Sequence, residues 1–412
     1  MYTGSLFSAK AKAWVRGRKN IYKKLAQVIP PTEKIIWVHC ASLGEFEQGR
    51  PVMEKLREEF RDHRILLTFF SPSGYEVQKN YSGADWVFYL PVDGPRNAKR
   101  FLELTHPSLV IFVKYEFWYY YLKKIKYSGI PLLLISALFR KEMPFFKWYG
   151  GLQRKMLSRF DHLFVQDEAS KKLIDSIGLQ EICSVSGDTR FDRVTAIVEK
   201  FQPIPVIEHF IGNNKAIVAG STWPEDEEAL QKAFTGIVDP SLKLIIAPHE
   251  INDKHLKALK DLFPDAQYFS QLPAPVFAEA TAGKPDPTPK YLIIDNYGLL
   301  SRLYKYGFLT YVGGGFRKSG IHNVLEAAVY DKIVLFGPNY EKYSEAVGLL
   351  QAGGALSINN RSGMLAELIA AFLVDNTEYS YRSKKAGEFV RGNRGATQRI
   401  IRFIQEKRLL TN

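Results

Sequence analysis

The sequence is poor in cysteine and has no long apolar run. Only two of its 412 residues are cysteines, Cys40 and Cys183, and both lie in apolar, strand-like surroundings. This number excludes a disulfide-rich scaffold, and we expect both residues to be buried free thiols in a reducing compartment. The longest apolar runs, such as IPLLLISALF, are about half the ~20 residues that a transmembrane helix requires. No membrane-spanning segment is therefore predicted.

Signatures of targeting, metal and cofactor sites are missing as well. No apolar segment follows the basic residues of the N-terminus, so no secretory signal peptide is predicted. The eight histidines are scattered, and no Cys, His or carboxylate spacing fits a set of metal ligands. The chain also lacks a P-loop lysine motif and a dinucleotide-binding fingerprint. We therefore expect neither a bound metal ion nor a cofactor.

Positive charge is what the chain has in excess. Lysine and arginine number 56 against 43 aspartates and glutamates, for a formal net charge of +13. Such a surplus favours anionic partners: nucleic acid, nucleotides or an acidic membrane. No nucleic-acid-binding module or basic stripe is apparent, and the excess charge concentrates beside aromatic residues. A nucleic-acid partner is therefore not expected.

The order of strand and helix signals predicts the fold class. Short apolar runs alternate with helical patterns in both halves of the chain, which predicts right-handed crossovers and mostly parallel sheets. The stretch FQPIPVIEHFIGNNK, residues 201–215, interrupts this alternation with two prolines and a glycine, and is interpreted as an interdomain linker. We predict an α/β protein of two doubly wound, Rossmann-like domains, residues 1–205 and 206–412, facing a central cleft. The last helix is a candidate to pack back on the first domain.

Two strand-end motifs in the first half carry carboxylates. In WVHCASLGEFEQG, Trp37–Gly49, an apolar strand ends in a turn that presents Glu45 directly after a glycine. In parallel sheets, ligands bind beyond the carboxyl ends of the strands, so this glutamate is well placed for chemistry. In VKYEFW, Lys114 and Glu116 also follow a strand. For this second motif, a buried structural network of Glu116 with Trp118 is the alternative.

A glycine-rich turn in the second half has the features of a nucleotide site. YVGGGFRKSGIHNVLEAA, Tyr311–Ala328, combines a strand, glycines, a basic turn and a helix start. Glycines let backbone amides approach a phosphate, and a carboxylate on the following helix can accept hydrogen bonds from ribose hydroxyls. The alternative is a tight turn without a ligand. The candidate residues are Gly313, Gly314, Gly315, Gly320, Asn323 and Glu326.

Two further strand-to-helix junctions add candidates for the same site. In GSTWPEDEE, Ser221 and Thr222 are candidates to hold a phosphate, although capping of the helix by Thr222 explains most of the pattern. In APHEIND, His249 directly follows a strand. That histidine is either a structural residue or a ligand contact.

Taken in order, these motifs resemble a known family. SLGEFEQG, SPSGYE, YLPVD, YEFW, FVQDEASKKLIDSIG, AGSTWPEDEE, YVGGGF, GIHNVLEAA and FGPNYEKY are similar to motifs of the 3-deoxy-D-manno-octulosonic acid (Kdo) transferases, and the similarity covers nearly the whole chain. The resemblance implies a GT-B fold, a CMP-Kdo donor, a lipid A precursor as acceptor, and inversion without a metal ion. It also implies that Glu45 is the general base and that Glu116 is a second catalytic carboxylate. Predicted contacts of the acceptor or of the Kdo carboxylate are Ser42, Gly44, Lys114, Phe146 and Trp148.

The chain departs from the family pattern at three places. Family members usually carry a carboxylate where this chain has Lys114, and many have an arginine where it has His249. The family also often begins with a hydrophobic anchor, which is not seen here. Lys114 could pair with the Kdo carboxylate, whereas a phosphate contact at His249 is in doubt.

Basic and aromatic residues are interspersed in two segments, which suggests docking to an anionic membrane. A solvated basic helix followed by core aromatics is the alternative. We expect a location at the cytoplasmic face of the bacterial inner membrane, either peripheral or through an omitted N-terminal anchor. The residues are Lys10, Lys12, Trp14, Arg16, Arg18, Lys19, Lys23 and Lys24 in the first segment, and Phe145, Phe146 and Trp148 in the second.

Two other functions compete with the Kdo transferase. Another GT-B enzyme, such as a UDP-sugar epimerase, would need no membrane, so the basic and aromatic segments count against it. A nucleic-acid-binding protein is suggested by charge alone.

Overall fold

A computed structural model describes residues 9–237, 239–272, 289–359 and 363–410. The start of the predicted membrane segment, residues 1–8, lies outside these described residues. The chain divides into two compact units. Unit 1 consists of the described parts of Met1–Arg193 and Asn393–Asn412, and unit 2 of those of Val194–Gly392.

Unit 1 is built on a seven-stranded sheet in the order β3-β2-β1-β4-β5-β6-β7, with all neighbours parallel. Its strands are β1 (Lys34–Cys40), β2 (His63–Phe69), β3 (Trp86–Tyr89), β4 (Pro107–Val113), β5 (Leu132–Ala137), β6 (His162–Val165) and β7 (Cys183–Val185). The helices that begin in this part of the chain are α1 (Ala9–Gly17), α2 (Ile21–Val28), α3 (Leu43–Glu59), α4 (Pro72–Gln78), α5 (Pro95–Thr105), α6 (Tyr119–Tyr127), α7 (Gly151–Leu157), α8 (Glu168–Asp175) and α9 (Thr189–Glu199).

Unit 2 repeats this architecture with a second parallel sheet of seven strands, in the order β10-β11-β9-β8-β12-β13-β14. Its strands are β8 (Ala216–Thr222), β9 (Lys243–Pro248), β10 (Gln267–Tyr268), β11 (Tyr291–Ile293), β12 (Leu309–Val312), β13 (Ile333–Phe336) and β14 (Ala355–Ser357). Its helices are α10 (Pro205–Ile211), α11 (Pro224–Gly236), α12 (Asp253–Leu262), α13 (Leu300–Leu303), α14 (Leu325–Ala328), α15 (Ser344–Gln351), α16 (Met364–Val374) and α17 (Asn376–Gly392). The predicted class, α/β with two doubly wound parallel sheets, is confirmed.

Both faces of the unit 1 sheet are covered by helices, so alternate residues of a strand enter two separate cores. On β1, Trp37 belongs to the core under α2, α5 and α6, whereas Val38 belongs to the core under α3. Burial on both sides explains why these strands are continuous apolar runs rather than alternating ones. The last helix, α18 (Ala396–Glu406), places Ile400 and Ile404 in the second core. It therefore belongs to unit 1, although it follows unit 2 in the chain.

The predicted domain boundary at residue 205 lies twelve residues beyond the structural one at Arg193, and the interpretation of residues 201–215 as a linker was wrong. Part of this segment, Pro205–Ile211, forms helix α10 within unit 2, and Ile207 and Phe210 are buried. The Tyr306 hydroxyl accepts a hydrogen bond from the Ile204 backbone at 2.7 Å and donates to Glu208 at 2.9 Å. The prolines had suggested an interdomain linker, but proline is also favourable at the first position of a helix.

None of the helices in the described ranges is long and apolar enough to cross a bilayer.

Candidate active site

Glu45 had been expected on a turn at the end of the strand. It lies instead in the first turn of helix α3. Ser42 is the N-cap, and Oε2 of Glu45 accepts hydrogen bonds from the Ser42 backbone N–H at 2.7 Å and from its hydroxyl at 2.8 Å. The bond from the Ser42 N–H to the glutamate three residues later is the one that a capping box contains, and the spacing S-x-x-E specifies it locally. Both contacts use Oε2, so Oε1 is the oxygen that can take a proton from a substrate.

The surroundings of Glu45 make its carboxylate a stronger base. Burial raises the pKa of the half-buried Glu45 carboxyl, the hydrogen bonds from Ser42 lower it, and the charge of Glu116 raises it. The net effect is a raised pKa. The neighbouring Gly44 is exposed, and a Cβ added there would meet no atom within 4 Å. The first turn of α3 therefore borders open space, as an acceptor site requires.

Glu116 is buried in a network of side chains instead of facing solvent. It is 5% exposed, and its Oε2 lies 2.8 Å from Nε2 of His39 and 2.5 Å from the indole N–H of Trp118. His39 is fully buried, and its Nδ1 lies 2.8 Å from the hydroxyl of Thr68. Sequence reasoning missed His39 and Thr68. A polar residue inside the apolar run WVHC was the signal, because buried polar groups require partners.

Lys114 directly follows strand β4 and has an unusual backbone conformation. Its φ is 67°, in the left-handed region that non-glycine residues rarely adopt. Its ammonium lies 5.5 Å from the ring centre of Tyr115. Burial raises the pKa of Tyr115, Arg140 lowers it and Glu45 raises it, so both charges lie near this tyrosine. Arg140, which follows strand β5, is a further charged residue near Tyr115 that the sequence analysis did not identify.

The glycine loop of unit 2 is held by a buried carboxylate. Asp226 in the first turn of α11 accepts hydrogen bonds from the Gly314 N–H at 2.8 Å, the Trp223 N–H at 2.9 Å and the Tyr311 hydroxyl at 2.7 Å. Burial raises the pKa of the Asp226 carboxyl, and the three hydrogen bonds oppose that effect. This residue was missed as well, although its spacing from the helix start is that of a capping box.

Close packing explains part of the glycine pattern. A Cβ on Gly313 would lie 2.3 Å from the Ser221 carbonyl oxygen, and one on Gly315 would lie 2.5 Å from Gly337. Gly314 and Gly320 have φ angles of 92° and 84°, which favour glycine. The loop is therefore a tight turn in its own right, and this geometry is compatible with a ligand on its outer side.

Thr222 had been expected to be the N-cap of α11, and this expectation was wrong. The cap is Trp223, one residue later, while Thr222 ends strand β8 with its side chain fully buried. Its hydroxyl donates to Oε1 of Glu227 at 2.8 Å, and Glu227 also pairs with His255 at 3.0 Å. The Thr222 hydroxyl is therefore already hydrogen-bonded in the interior of unit 2. Ser221, with a left-handed φ of 53°, is only half-buried.

Four planar groups form a stack at the same strand ends. The guanidinium of Arg317 lies 3.9 Å from the ring centre of Trp223, Trp223 lies 4.7 Å from His249, and His249 stacks on His322 at 4.3 Å. The Trp223 indole N–H donates to Nε2 of His322 at 3.1 Å. Since Nε2 is then an acceptor, the ring proton of neutral His322 resides on Nδ1. A cavity of about 310 Å³ lies beside Trp223 and Arg317.

Burial keeps both stacked histidines neutral. It lowers the pKa of His249, whose ring contacts those of Trp223 and His322, and it lowers the pKa of His322 to about 4. His249 therefore contributes an aromatic surface at neutral pH rather than the permanent positive charge of an arginine. A charge-based phosphate contact by His249 is not supported by this arrangement.

The lowered pKa of His322 predicts that the protein loses stability in acid. Between pH 6.5 and about 4 the folded state binds fewer protons than the unfolded chain, so the stability falls as the pH falls through this window. Between pH 7 and pH 5 we expect wild type to lose on the order of 1–2 kcal/mol more than His322→Gln, as measured by urea unfolding. His162, whose pKa is also lowered to about 4 by burial, is present in both proteins. Equal losses would show that His322 is protonated in the fold without cost.

Asn323 and Glu326 are brought together as predicted. The Asn323 amide donates to Oε1 of Glu326 at 3.2 Å, and its Oδ1 accepts from the Leu325 N–H at 3.1 Å. Burial raises the pKa values of Tyr304 and Tyr330, and the nearby charge of Glu326 raises them further. Glu326 therefore sits half-buried at the start of α14, oriented by Asn323. Its role as a ribose contact stays a prediction.

The predicted membrane residues divide into two groups. Trp14 is 9% exposed, and Arg18 donates to the carbonyl oxygens of Leu90 and Phe70, each at 2.8 Å. These two residues belong to the fold, so counting them in a membrane contact was wrong. Phe145 is buried in the core for the same reason, because it packs among other aromatics. The remaining group is exposed or half-buried and consists of Lys10, Lys12, Arg16, Lys19, Lys23, Lys24, Phe146 and Trp148.

Within the described ranges, no three His, Cys, Asp or Glu side chains cluster as metal ligands. Metal independence of the reaction stays a prediction.

Two doubly wound units with polar residues at their strand ends define the GT-B architecture. The structure is similar to that of UDP-GlcNAc 2-epimerase from Neisseria meningitidis bound to UDP-GlcNAc, with a TM-score of 0.63 over 90% of this chain and 100% of that one. At 17% identity, this similarity shows the fold alone.

The sequence comparisons identify the family. A family model described as 3-deoxy-D-manno-octulosonic-acid transferase (kdotransferase) matches residues 15–193. The 3-deoxy-D-manno-octulosonic acid transferase of Aquifex aeolicus is 31% identical over 81% of this chain and 84% of its own length. That of Haemophilus influenzae is 25% identical over 97% of this chain and 93% of its own length. The chain belongs to the Kdo transferase family, which confirms the resemblance seen in its motifs.

Proposed function

We propose that this protein is a glycosyltransferase that transfers Kdo from CMP-Kdo to a lipid A precursor, with inversion at the transferred carbon and without a metal ion. The observation that carries the proposal is Glu45, a half-buried carboxylate with a raised pKa that is hydrogen-bonded to Ser42 in the first turn of α3, just beyond β1. It lies in a chain of the Kdo transferase family. No cofactor is needed, because CMP-Kdo is itself the activated donor.

In this mechanism Glu45 activates the acceptor. A sugar hydroxyl is a weak nucleophile until its proton is removed, and Glu45 accepts that proton as the oxygen attacks. The new bond forms between the acceptor oxygen and the anomeric carbon of Kdo. The bond from that carbon to the phosphate oxygen breaks, and CMP leaves with the electron pair. Attack opposite to the leaving group inverts the configuration.

Unit 2 supplies the groups suited to the nucleotide. The carboxylate of Glu326, oriented by Asn323 at 3.2 Å, can accept hydrogen bonds from ribose hydroxyls. Backbone amides of the glycine loop can stabilise the charge that develops on the departing phosphate. The Nδ1–H of His322, assigned by the hydrogen bond from Trp223, is a further neutral donor. Asp226 holds the loop in place through Gly314.

Nucleotide selectivity separates this proposal from a UDP-sugar epimerase, whose fold is shared. We expect CMP to raise the thermal midpoint of the protein more than UMP or UDP at equal concentration, and Glu326→Ala to reduce that shift. Incubation with CMP-Kdo, generated in place, and a lipid A precursor should increase the mass of the precursor by one or more Kdo residues. Stabilisation by UDP alone, with no mass change, would instead support the epimerase.

We further propose that unit 1 docks on the anionic cytoplasmic surface of the inner membrane. Helix α2 carries the exposed Lys23 and Lys24, and the exposed Trp148 follows the turn Pro144–Phe146. Both elements contribute residues to the same core, so they cover the same face of the sheet. Trp148 is 92% exposed, and the neighbouring Tyr149 and Leu152 are 58% and 54% exposed, so this segment presents an exposed apolar patch of the kind that marks interaction sites.

Binding to anionic vesicles should depend on these lysines. Each basic residue near an anionic surface contributes about 1 kcal/mol, so Lys19→Gln, Lys23→Gln and Lys24→Gln together should weaken binding about 100-fold at low salt. The matched control is the same charge loss at three exposed lysines of unit 2, Lys232, Lys257 and Lys384. Vesicle co-sedimentation measures both. If the two triple variants bind alike, or if neutral vesicles bind as well as anionic ones, the docking surface lies elsewhere.

A further inference from the structure

Two buried hydroxyl groups contact helix α3 and have no part in the mechanism proposed above. The Thr189 hydroxyl donates a hydrogen bond at 2.5 Å to the backbone carbonyl oxygen of Gln48, which lies 141 residues earlier in the chain. The Ser136 hydroxyl lies 3.0 Å from the same Thr189 oxygen, and both residues are fully buried. Gln48 follows Glu45 by three residues on α3. The contact therefore reaches the helix of the proposed base within one turn of Glu45.

The single proton of each hydroxyl determines the direction of these hydrogen bonds. Thr189 uses its proton on the Gln48 carbonyl, so Ser136 donates to the Thr189 oxygen. The backbone carbonyl of Ser136 in turn accepts from the side-chain amide of Gln166 at 2.9 Å. Ser136 lies near the end of β5, Gln166 follows β6, and Thr189 begins α9 after β7. Groups from three strand ends thus form one chain of contacts that ends on α3.

The N-terminal part of α3 has fewer helical hydrogen bonds than the rest of the helix. The N–H groups of its first turn have no intrahelical acceptor. Pro51 lies inside the helix and has no N–H to donate to the Glu47 carbonyl, four residues earlier. At Gly49 the helix lies so close to the sheet that an added Cβ would be 3.1 Å from Cγ2 of Val113. Contacts with the rest of unit 1 therefore determine where this part of α3 lies.

Ser136 is held in an unfavourable backbone conformation. Its φ is 53°, in the left-handed region that non-glycine residues rarely adopt. Such strain persists only where the surrounding structure enforces it, and it is concentrated at functional sites. A buried hydroxyl needs a partner in any protein. That requirement alone does not explain why a strained serine directs its hydroxyl to the residue that contacts α3.

We propose that Thr189 is a positioning residue: its hydroxyl, held in place by Ser136, fixes the N-terminal part of α3 and thereby the place of the Glu45 carboxylate. This inference rests on the proposed function of Glu45 as the base. Thr189 acts on the reaction through the backbone of α3 alone. A general base must lie within hydrogen-bond reach of the proton that it removes. A displaced helix should therefore slow the chemical step more than it weakens the binding of either substrate.

Thr189→Val removes the hydroxyl and keeps the shape of the side chain. We expect the turnover of Kdo transfer to fall by about 10–100-fold, since a displacement of about 1 Å can cost 10²-fold. The KM values for CMP-Kdo and for the lipid A precursor should change little. Thr189→Ser keeps the hydroxyl and should recover most of the turnover.

The matched control is Thr105→Val. Thr105 is also buried, and its hydroxyl donates to the Phe101 carbonyl at 2.9 Å, but this bond lies within helix α5 itself. Both valine variants lose one buried hydrogen bond, so they should lower the urea midpoint of unfolding by similar amounts. Thr105→Val should nevertheless keep the turnover of wild type.

Amide hydrogen exchange, followed by mass spectrometry, measures the contact without the reaction. Peptides from residues 43–52 should exchange faster in Thr189→Val than in wild type or in Thr105→Val, because α3 has lost a contact that holds it. Ser136→Ala removes the donor to Thr189 and should cause a smaller change in the same direction, and it serves as the test if Thr189→Val does not fold. If wild type transfers no Kdo but exchange in α3 still rises, the proposed function fails and the contact with α3 stands.

Three results would overturn the inference. The first is wild-type turnover in Thr189→Val with the same loss of stability as in Thr105→Val, which would leave the hydroxyl a purely structural role. The second is unchanged exchange of α3 in both Thr189→Val and Ser136→Ala. The third is a loss of turnover that Thr189→Ser does not recover, which would show that the hydroxyl is not the group that matters.

Discussion

Glu45→Gln is expected to lower the turnover of Kdo transfer by about 10²–10⁴-fold, the contribution typical of a general base. The substitution removes the proton acceptor and changes little else. Glutamine is also accepted at the third position of a capping box, so the amide oxygen can still accept from the Ser42 N–H. Helix α3 should therefore remain capped, and the unfolding midpoint in urea should stay close to that of wild type. Turnover is measured by the mass of the product formed from CMP-Kdo and the lipid A precursor.

The matched control is Glu47→Gln, which makes the same change two residues further along the helix. Glu47 lies 3.6 Å from Arg193 in an ion pair that is partly exposed, so this variant should keep near-normal turnover. CMP should stabilise both variants as it stabilises wild type. Near-normal turnover of Glu45→Gln would contradict the assignment of the base, whereas loss of CMP stabilisation would point to misfolding.

Asp226→Ala should have the largest effect on stability. It leaves three donors without their acceptor: the buried Gly314 N–H and Tyr311 hydroxyl, and the part-buried Trp223 N–H. Each buried donor left without a partner costs about 1–3 kcal/mol, so for the two buried ones we expect a loss of roughly 2–6 kcal/mol in the free energy of unfolding. The glycine loop should also lose its fixed position. Stabilisation by CMP should therefore be lost even where the variant remains folded.

Glu228→Ala is the control for this prediction. Glu228 lies on the same helix two residues later and is exposed, so its removal should change the unfolding free energy by no more than about 0.5 kcal/mol. Urea unfolding measures both variants, and CMP titration calorimetry at a temperature where they are folded measures binding. If Asp226→Ala unfolded at the wild-type midpoint, the three hydrogen bonds would contribute nothing net to the fold.

Local sequence was informative where a property depends on near neighbours. The apolar runs predicted the strands, because residues buried on both faces of a parallel sheet must be apolar throughout. The motif SLGEFEQG placed Glu45 at the end of β1, and its S-x-x-E spacing specifies the hydrogen bond from the Ser42 N–H that the structure shows. The proximity of Asn323 and Glu326 followed in the same way from a spacing of three residues at a helix start, with Asn323 just before α14.

Local sequence was misleading where a pattern serves two purposes. The prolines of residues 201–215 suggested a linker, but Pro205 begins helix α10. Basic and aromatic residues near the N-terminus suggested a continuous membrane contact. The structure instead places Trp14 in the interior and uses Arg18 to satisfy two backbone carbonyl groups. A charged side chain is available to a partner only if the fold does not already use it.

The sequence by itself therefore determined the fold class, the family and the identity of the candidate base, because periodicity, capping and motif order are local properties of the chain. Tertiary structure alone decided which distant residues meet. His39 pairs with Glu116 across 77 residues, and Asp226 holds Gly314 across 88. It also decided that helix α18 returns to unit 1. The physical reason is that hydrogen bonds and burial depend on distance in space, and a parallel sheet brings the ends of strands from separate parts of the chain to one edge.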